Sequence, residues 1–116
     1  MGGPSTERDI SLKSGKAVLG ALLEAGFQAE EIDITSDNRR ENINLIKQRK
    51  IDCAFVALHG RFGEDGQIQE ILEELAVVYT GSGVLASRLA MDKIASRKIF
   101  QQNGLNVPRF KIVEKH

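Results

Sequence analysis

Three short blocks gather the residues able to hold a ligand or move a proton. The first is Gly2-Gly3-Pro4-Ser5-Thr6-Glu7-Arg8. Its glycines let the backbone come close to a ligand, and the free amides of a helix N-terminus attract anions. Glu7 has a plainer explanation too, as an acid that complements the positive end of the helix dipole. Ser5 or Thr6 reads equally well as a helix N-cap. The second block, His59-Gly60-Arg61-Phe62-Gly63-Glu64-Asp65-Gly66, places three glycines in eight residues, which implies a tightly turned loop. It directly follows the apolar run Cys53–Leu58, and ligands of open α/β sheets bind outside the carboxyl ends of the strands, where His59 sits. The alternative for His59 is a core histidine. Glu64 and Asp65 have the chemistry of metal ligands, but acids ahead of a helix commonly cap it, and Asp65 is read as such a cap. The third block is Tyr79-Thr80-Gly81-Ser82-Gly83, followed by Met91-Asp92-Lys93. Its Gly-Ser-Gly turn does not match the P-loop pattern. Lys93 offers a point charge for a nucleotide phosphate, or else forms a solvated helix face with Arg97. Lys98, Lys111 and Lys115 read as surface.

The elements that must hold these blocks follow from periodicity. Ile10, Ser14, Ala17, Val18, Ala21, Leu22 and Ala25 recur at helical spacing and Gly26 stops them. Gln28 to Ile34 suggests a short strand, Thr35 to Arg40 a loop, and Ile43 to Lys50 a short helix. Cys53 to Leu58 suits a strand buried on both faces, the mark of a parallel sheet, with Cys53 a buried small hydrophobe. A helix is expected from Gln67 to Leu75, a strand at Val77–Tyr79, helices over Val84–Ala90 and Ile94–Asn103 and a last strand at Phe110–Val113. Strands alternating with helices argue for βαβ units.

Composition narrows the function classes. The 116 residues fit one domain, with 41% apolar residues for a core. Sixteen basic side chains balance sixteen acidic ones, so charge gives no reason to expect nucleic acid or an anionic membrane as partner. A single cysteine excludes an internal disulfide, and no stretch approaches the roughly 18 apolar residues of a membrane span. With no basic-then-apolar leader at the start, a cytoplasmic domain is expected.

In order and at their spacing, the three blocks, with Ser11-Leu12, Ser14-Gly15 and Ser87, resemble the D-alanine–D-alanine ligases of the ATP-grasp superfamily, over essentially the whole chain. The resemblance implies a Rossmann-like (pre-ATP-grasp) three-layer α/β domain with a mostly parallel sheet. Residues 1–108 would form this amino-terminal substrate-binding domain and 109–116 the start of a linker or strand into the ATP-grasp part. It also implies ATP and Mg²⁺ as cofactors, with the metal ligands mostly outside this chain, so that the chain alone is inactive. The activity would be peptidoglycan dipeptide synthesis through an acyl phosphate. Glu7 would hold the ammonium of the first D-alanine, with Ser5 beside it. His59 would lie near that substrate's carboxylate, and Lys93 would reach the ATP phosphates. A D-alanine–D-lactate ligase, and a stand-alone ligand-binding or self-associating module, are the alternatives. The family's first strand, an apolar run leading into Gly-Gly, has no counterpart before Met1. The expectation is therefore a gap or exposed edge beside Ala29–Ile34 and Cys53–Leu58, and a homodimer formed through it.

Overall fold

The computed structural model describes residues 1–113. Helix α1 spans Arg8–Glu24, α2 Arg39–Arg49, α3 Gln67–Glu74, α4 Val84–Met91 and α5 Lys93–Gln102, with strand β1 at Cys53–Ala54 and β2 at Val78–Tyr79. The fold is α/β, and its pairings are parallel. Cys53 faces Val78 and Ala54 faces Tyr79 in β1–β2, and Gly2 forms an isolated parallel bridge with Ile34.

The helices follow local signals. Gly26, at φ 84°, takes the left-handed conformation that ends α1, and its amide donates to Leu23. Helix α2 begins at Arg39, inside the stretch expected to be loop. Asn38 is the reason: its Oδ1 accepts from the amides of Arg40 and Glu41 at 3.1 and 3.2 Å. Helix α3 presents Ile68, Ile71 and Leu72 to the core, where they meet Ile34, Ile46, Leu58 and Phe62. Phe62 is 1% exposed, although it belongs to the glycine-rich loop. Its side chain anchors that loop in the core with a left-handed backbone at φ 75°.

The strands depart most from expectation. Of Gln28–Ile34, only Ile34 pairs, and Phe110–Val113 forms no strand. A strand exists only where a partner supplies the other half of its ladder, whereas a helix closes its own bonds. Phe110 instead lies under the Arg97 guanidinium, 4.9 Å from ring centre to Cζ. The run Cys53–Leu58 is not buried on both faces: Cys53 is exposed and Phe55 is 52% exposed. The cause is a trench of about 960 Å³ between α1 and the two extended segments 29–34 and 53–58, lined by Val18, Leu22, Ile32 and Val56 among others. The expected gap beside these segments is therefore present. The radius of gyration is 16.5 Å, against about 13 Å for a compact chain of this length. The accessible surface is 8470 Å², against about 6300 Å² for a compact monomer of this mass. No helix among the described residues is long and apolar enough to cross a membrane. Of the expected linker 109–116, residues 114–116 lie outside the described residues.

Across the trench, α1 is tied by a polar bridge. Ser11, fully buried, accepts from the Gly2 amide at 2.9 Å and donates to the Ala57 carbonyl at 2.6 Å. Only Ser11 and Gly15 of α1 are buried, so little apolar packing backs the bridge. Ser11→Ala strands a buried donor and a buried acceptor together. It should lower stability by about 2–3 kcal/mol, read as a fall in the urea midpoint followed by circular dichroism.

Candidate functional site

Two chain segments converge at Gly60. The turn that opens α1 brings Ser5 and Glu7, and the loop leaving the segment 53–58 brings His59. Ser5 is not the helix cap that its position suggests: the cap position falls on Glu7, which makes no side-chain capping bond. The Ser5 hydroxyl accepts from the Glu7 amide at 3.2 Å and donates to the His59 carbonyl at 2.8 Å, fastening the two loops together. The Glu7 carboxylate is thus left free of the helix end and rests against Gly60. A Cβ on Gly60 would lie 2.8 Å from Glu7 Oε2 and 3.3 Å from Ser5 Oγ, and its φ of 67° disfavours any side chain. Glycine at this position is what lets the carboxylate and the histidine loop approach.

His59 is half-buried. Its Nε2 lies 3.3 Å from Ser14 Oγ on α1, and its Nδ1 lies 3.8 Å from Glu64 Oε1, an ion pair only when the ring is protonated. Glu64 Oε2 accepts from the Gly60 amide at 3.0 Å, so the same carboxylate folds the loop back on itself. Asp65 is not the helix cap expected of it: the cap position falls on Gly66, and Asp65, one residue before, holds the turn that leads into α3. Its Oδ1 accepts from the Gln67 amide at 3.2 Å, and its Oδ2 from the Phe62 amide at 3.0 Å and from Gln67 Nε2 at 2.8 Å. Partial burial works against the Asp65 carboxylate. The bonds from Phe62 and Gln67, with the Arg61 charge, outweigh it and hold the pKa below its usual value.

A cleft of about 420 Å³ joins His59 and Glu64 to Ser82, Ser87 and Met91, so the second and third sequence blocks share one hollow. Gln69 also lines it. Its Nε2 donates to the Gly63 carbonyl at 2.8 Å, while its Oε1 is buried with no partner among the described residues. Lys93 stands apart: it opens α5, is exposed, and follows Asp92, whose Oδ1 caps that helix through the amides of Ile94 and Ala95. The structure therefore brings Ser5, Glu7 and His59 together but not Lys93. No three His, Cys, Asp or Glu side chains among the described residues are grouped to hold a metal ion. Sequence points to Ser14 only through the Ser14-Gly15 part of the family likeness, with no role attached, and gives Gln69 none. Ser14 falls on the helical repeat of α1, where it reads as a packing position, and nothing local marks it as a neighbour of residue 59. Gln69 stands one residue out of step with the apolar face of α3, and that mismatch was the available signal.

Comparison with known proteins gives a consistent answer. Residues 37–82 match the family model described as D-ala D-ala ligase N-terminus. The chain is 55% identical over 115 residues to a D-alanine–D-alanine ligase of Pelotomaculum thermopropionicum, covering 99% of this chain and 35% of the relative. It is 49% identical to one of Citrifermentans bemidjiense, over 99% of this chain and 36% of that one. Among solved structures, the D-alanine–D-alanine ligase of Bacillus anthracis complexed with ATP superposes with a TM-score of 0.78 at 38% identity, covering 94% of this chain and 36% of that one. The chain thus spans about a third of the length of these relatives.

Because the Asp65 pKa is depressed on folding, its contribution is present above the ordinary value of 3.8 and is lost as pH falls through the folded value. Asp65→Asn should remove that dependence. The drop in urea midpoint between neutral pH and about pH 3 should be smaller in the variant than in the parent chain.

Proposed function

We propose that this chain, which belongs to the D-alanine–D-alanine ligase family as its amino-terminal part, forms the substrate side of an ATP-dependent ligation of two D-alanines. The observation that carries the reading is the convergence at Gly60 of two segments, one bringing Ser5 and a Glu7 carboxylate free of helix capping against Gly60, the other bringing His59, whose carbonyl Ser5 holds. A fixed carboxylate is the natural partner of an amino acid's ammonium, and it selects for a substrate that carries one. The Ser5 hydroxyl holds the Glu7 turn against the His59 loop, so ammonium and carboxylate ends of one small substrate would be sensed by side chains on two rigidly linked segments.

In the reaction, a carboxylate oxygen of the first D-alanine attacks the γ-phosphorus of ATP, and ADP leaves. The amine of the second D-alanine then attacks the acyl carbon of that acyl phosphate, and phosphate leaves as the amine gives up a proton. The product is the dipeptide used for peptidoglycan. ATP supplies the phosphoryl group and Mg²⁺ would balance its charge. The described residues assemble no donor set for Mg²⁺, so no step here passes through it. What this chain would contribute is orientation: Glu7 would fix the ammonium and His59 would stand by the reacting carboxylate, while Lys93, exposed at the start of α5 and apart from both, would offer a phosphate a point charge. The cytoplasm, where ATP is available, is the setting this reading implies. The exposed face along the segments 29–34 and 53–58 is where a second copy would pair in the homodimer this reading includes. Light scattering should then give twice the 12.8 kDa chain mass.

In a full-length ligase carrying this domain, Glu7→Gln should raise KM for D-alanine roughly 10- to 100-fold, the worth of a hydrogen bond to a charged group. His59→Ala should lower kcat about 100-fold. D-alanine-dependent phosphate release from ATP measures both, and normal kinetics in both variants would overturn the assignment.

A further inference from the structure

The Ser14 hydroxyl has one proton and two neighbours that compete for it. It lies 2.9 Å from the Ile10 carbonyl oxygen, one turn back on α1, and 3.3 Å from His59 Nε2. The carbonyl can only accept. The shorter contact is a common bond for a helical serine, which donates to the carbonyl four residues before it. With its proton on Ile10, Ser14 Oγ can meet His59 only as an acceptor, and Nε2 must then carry the ring proton. On the other side of the ring, Nδ1 faces Glu64 Oε1 at 3.8 Å, beyond hydrogen-bond reach. Glu64 Oε2 is already engaged with the Gly60 amide.

We infer that Ser14 is the positioning residue of His59. Its hydroxyl fixes the neutral ring as the Nε2–H tautomer and leaves Nδ1 as the acceptor turned toward the loop. The inference rests on the proposed site only for its catalytic consequence; the tautomer follows from the two contacts of Ser14. A residue on α1, 45 residues away in sequence, thereby decides which histidine nitrogen is available as a base. Glu64 makes no hydrogen bond to the ring and acts only on the loop, through the Gly60 amide, so the direct hold on the imidazole comes from α1.

The test is nitrogen-15 NMR of the imidazole in this chain, at mildly alkaline pH. His59→Ala identifies its signals against those of His116. The expected result is a ring wholly in the Nε2–H form, with a ring proton in slow exchange with water. Ser14→Thr, which keeps the hydroxyl, should preserve both features. Ser14→Val, of nearly the same shape without the hydroxyl, should let the ring relax to the tautomer mixture of free histidine and speed the exchange of its proton. An Nδ1–H ring in the parent chain, or a Val variant indistinguishable from it, would overturn the inference. In a full-length ligase carrying the domain, Ser14→Val should lower kcat roughly tenfold at unchanged KM for D-alanine, with Thr restoring it. A lost tautomer with untouched turnover would leave Ser14's grip on the ring established and sink the proposed role of His59 instead.

Discussion

The Ser11 hydroxyl is the tie on which the rest of this molecule depends. It joins the Gly2 amide to the Ala57 carbonyl, and so connects the opening turn, α1 and the segment that delivers His59. Elsewhere such a link would be one bond among many. Here α1 buries only Ser11 and Gly15, and a trench separates most of its apolar side from the core. One fully desolvated hydroxyl that satisfies both partners therefore holds what apolar packing does not. The second tie is Arg8, which reaches back to Asp33 at 2.6 Å and to the Ile34 carbonyl at 2.8 Å. It is half-exposed, and solvent screens it accordingly.

The two sides of the site are built differently. The 59–66 loop is over-determined. Phe62 anchors it in the core, Asp65 and Glu64 fold it from within, and Gln69 holds Gly63 from α3. The α1 side rests on few bonds. Glu7, which makes no capping bond, sits on this less constrained side, and His59 on the rigid one.

Helices were legible in the sequence and strands only in part, for a physical reason. Strands β1 and β2 fall inside the expected strands at 53–58 and 77–79, but are shorter. Helices α1, α3, α4 and α5 carry their periodicity within themselves, and Gly26 ends α1 where the sequence indicates. Helix α2 began early because Asn38 caps it, a signal present in the sequence but outweighed by the polar character around it. The strands at 28–34 and 110–113 needed partners that no local pattern supplies, and the burial of Cys53 needed a neighbouring layer. The site was legible as three ordered blocks, and two of them meet as expected. The contact of Ser14 with His59 spans 45 residues and three elements, beyond the reach of spacing arguments.

Helix α1 carries both the structural bridge and the side of the site that faces His59. Ser11 and Ser14 are one turn apart on one face, and Glu7 lies one turn before Ser11. A residue inserted between Glu7 and Ser11 would swing everything downstream by roughly 100°. It would remove Ser11 from Ala57 and Ser14 from His59 in a single step. The register of this one helix is therefore under two independent constraints. Its side chains can vary wherever they face solvent, but its length between Glu7 and Ser14 cannot, so insertions and deletions in this family's chains should be found almost anywhere but there.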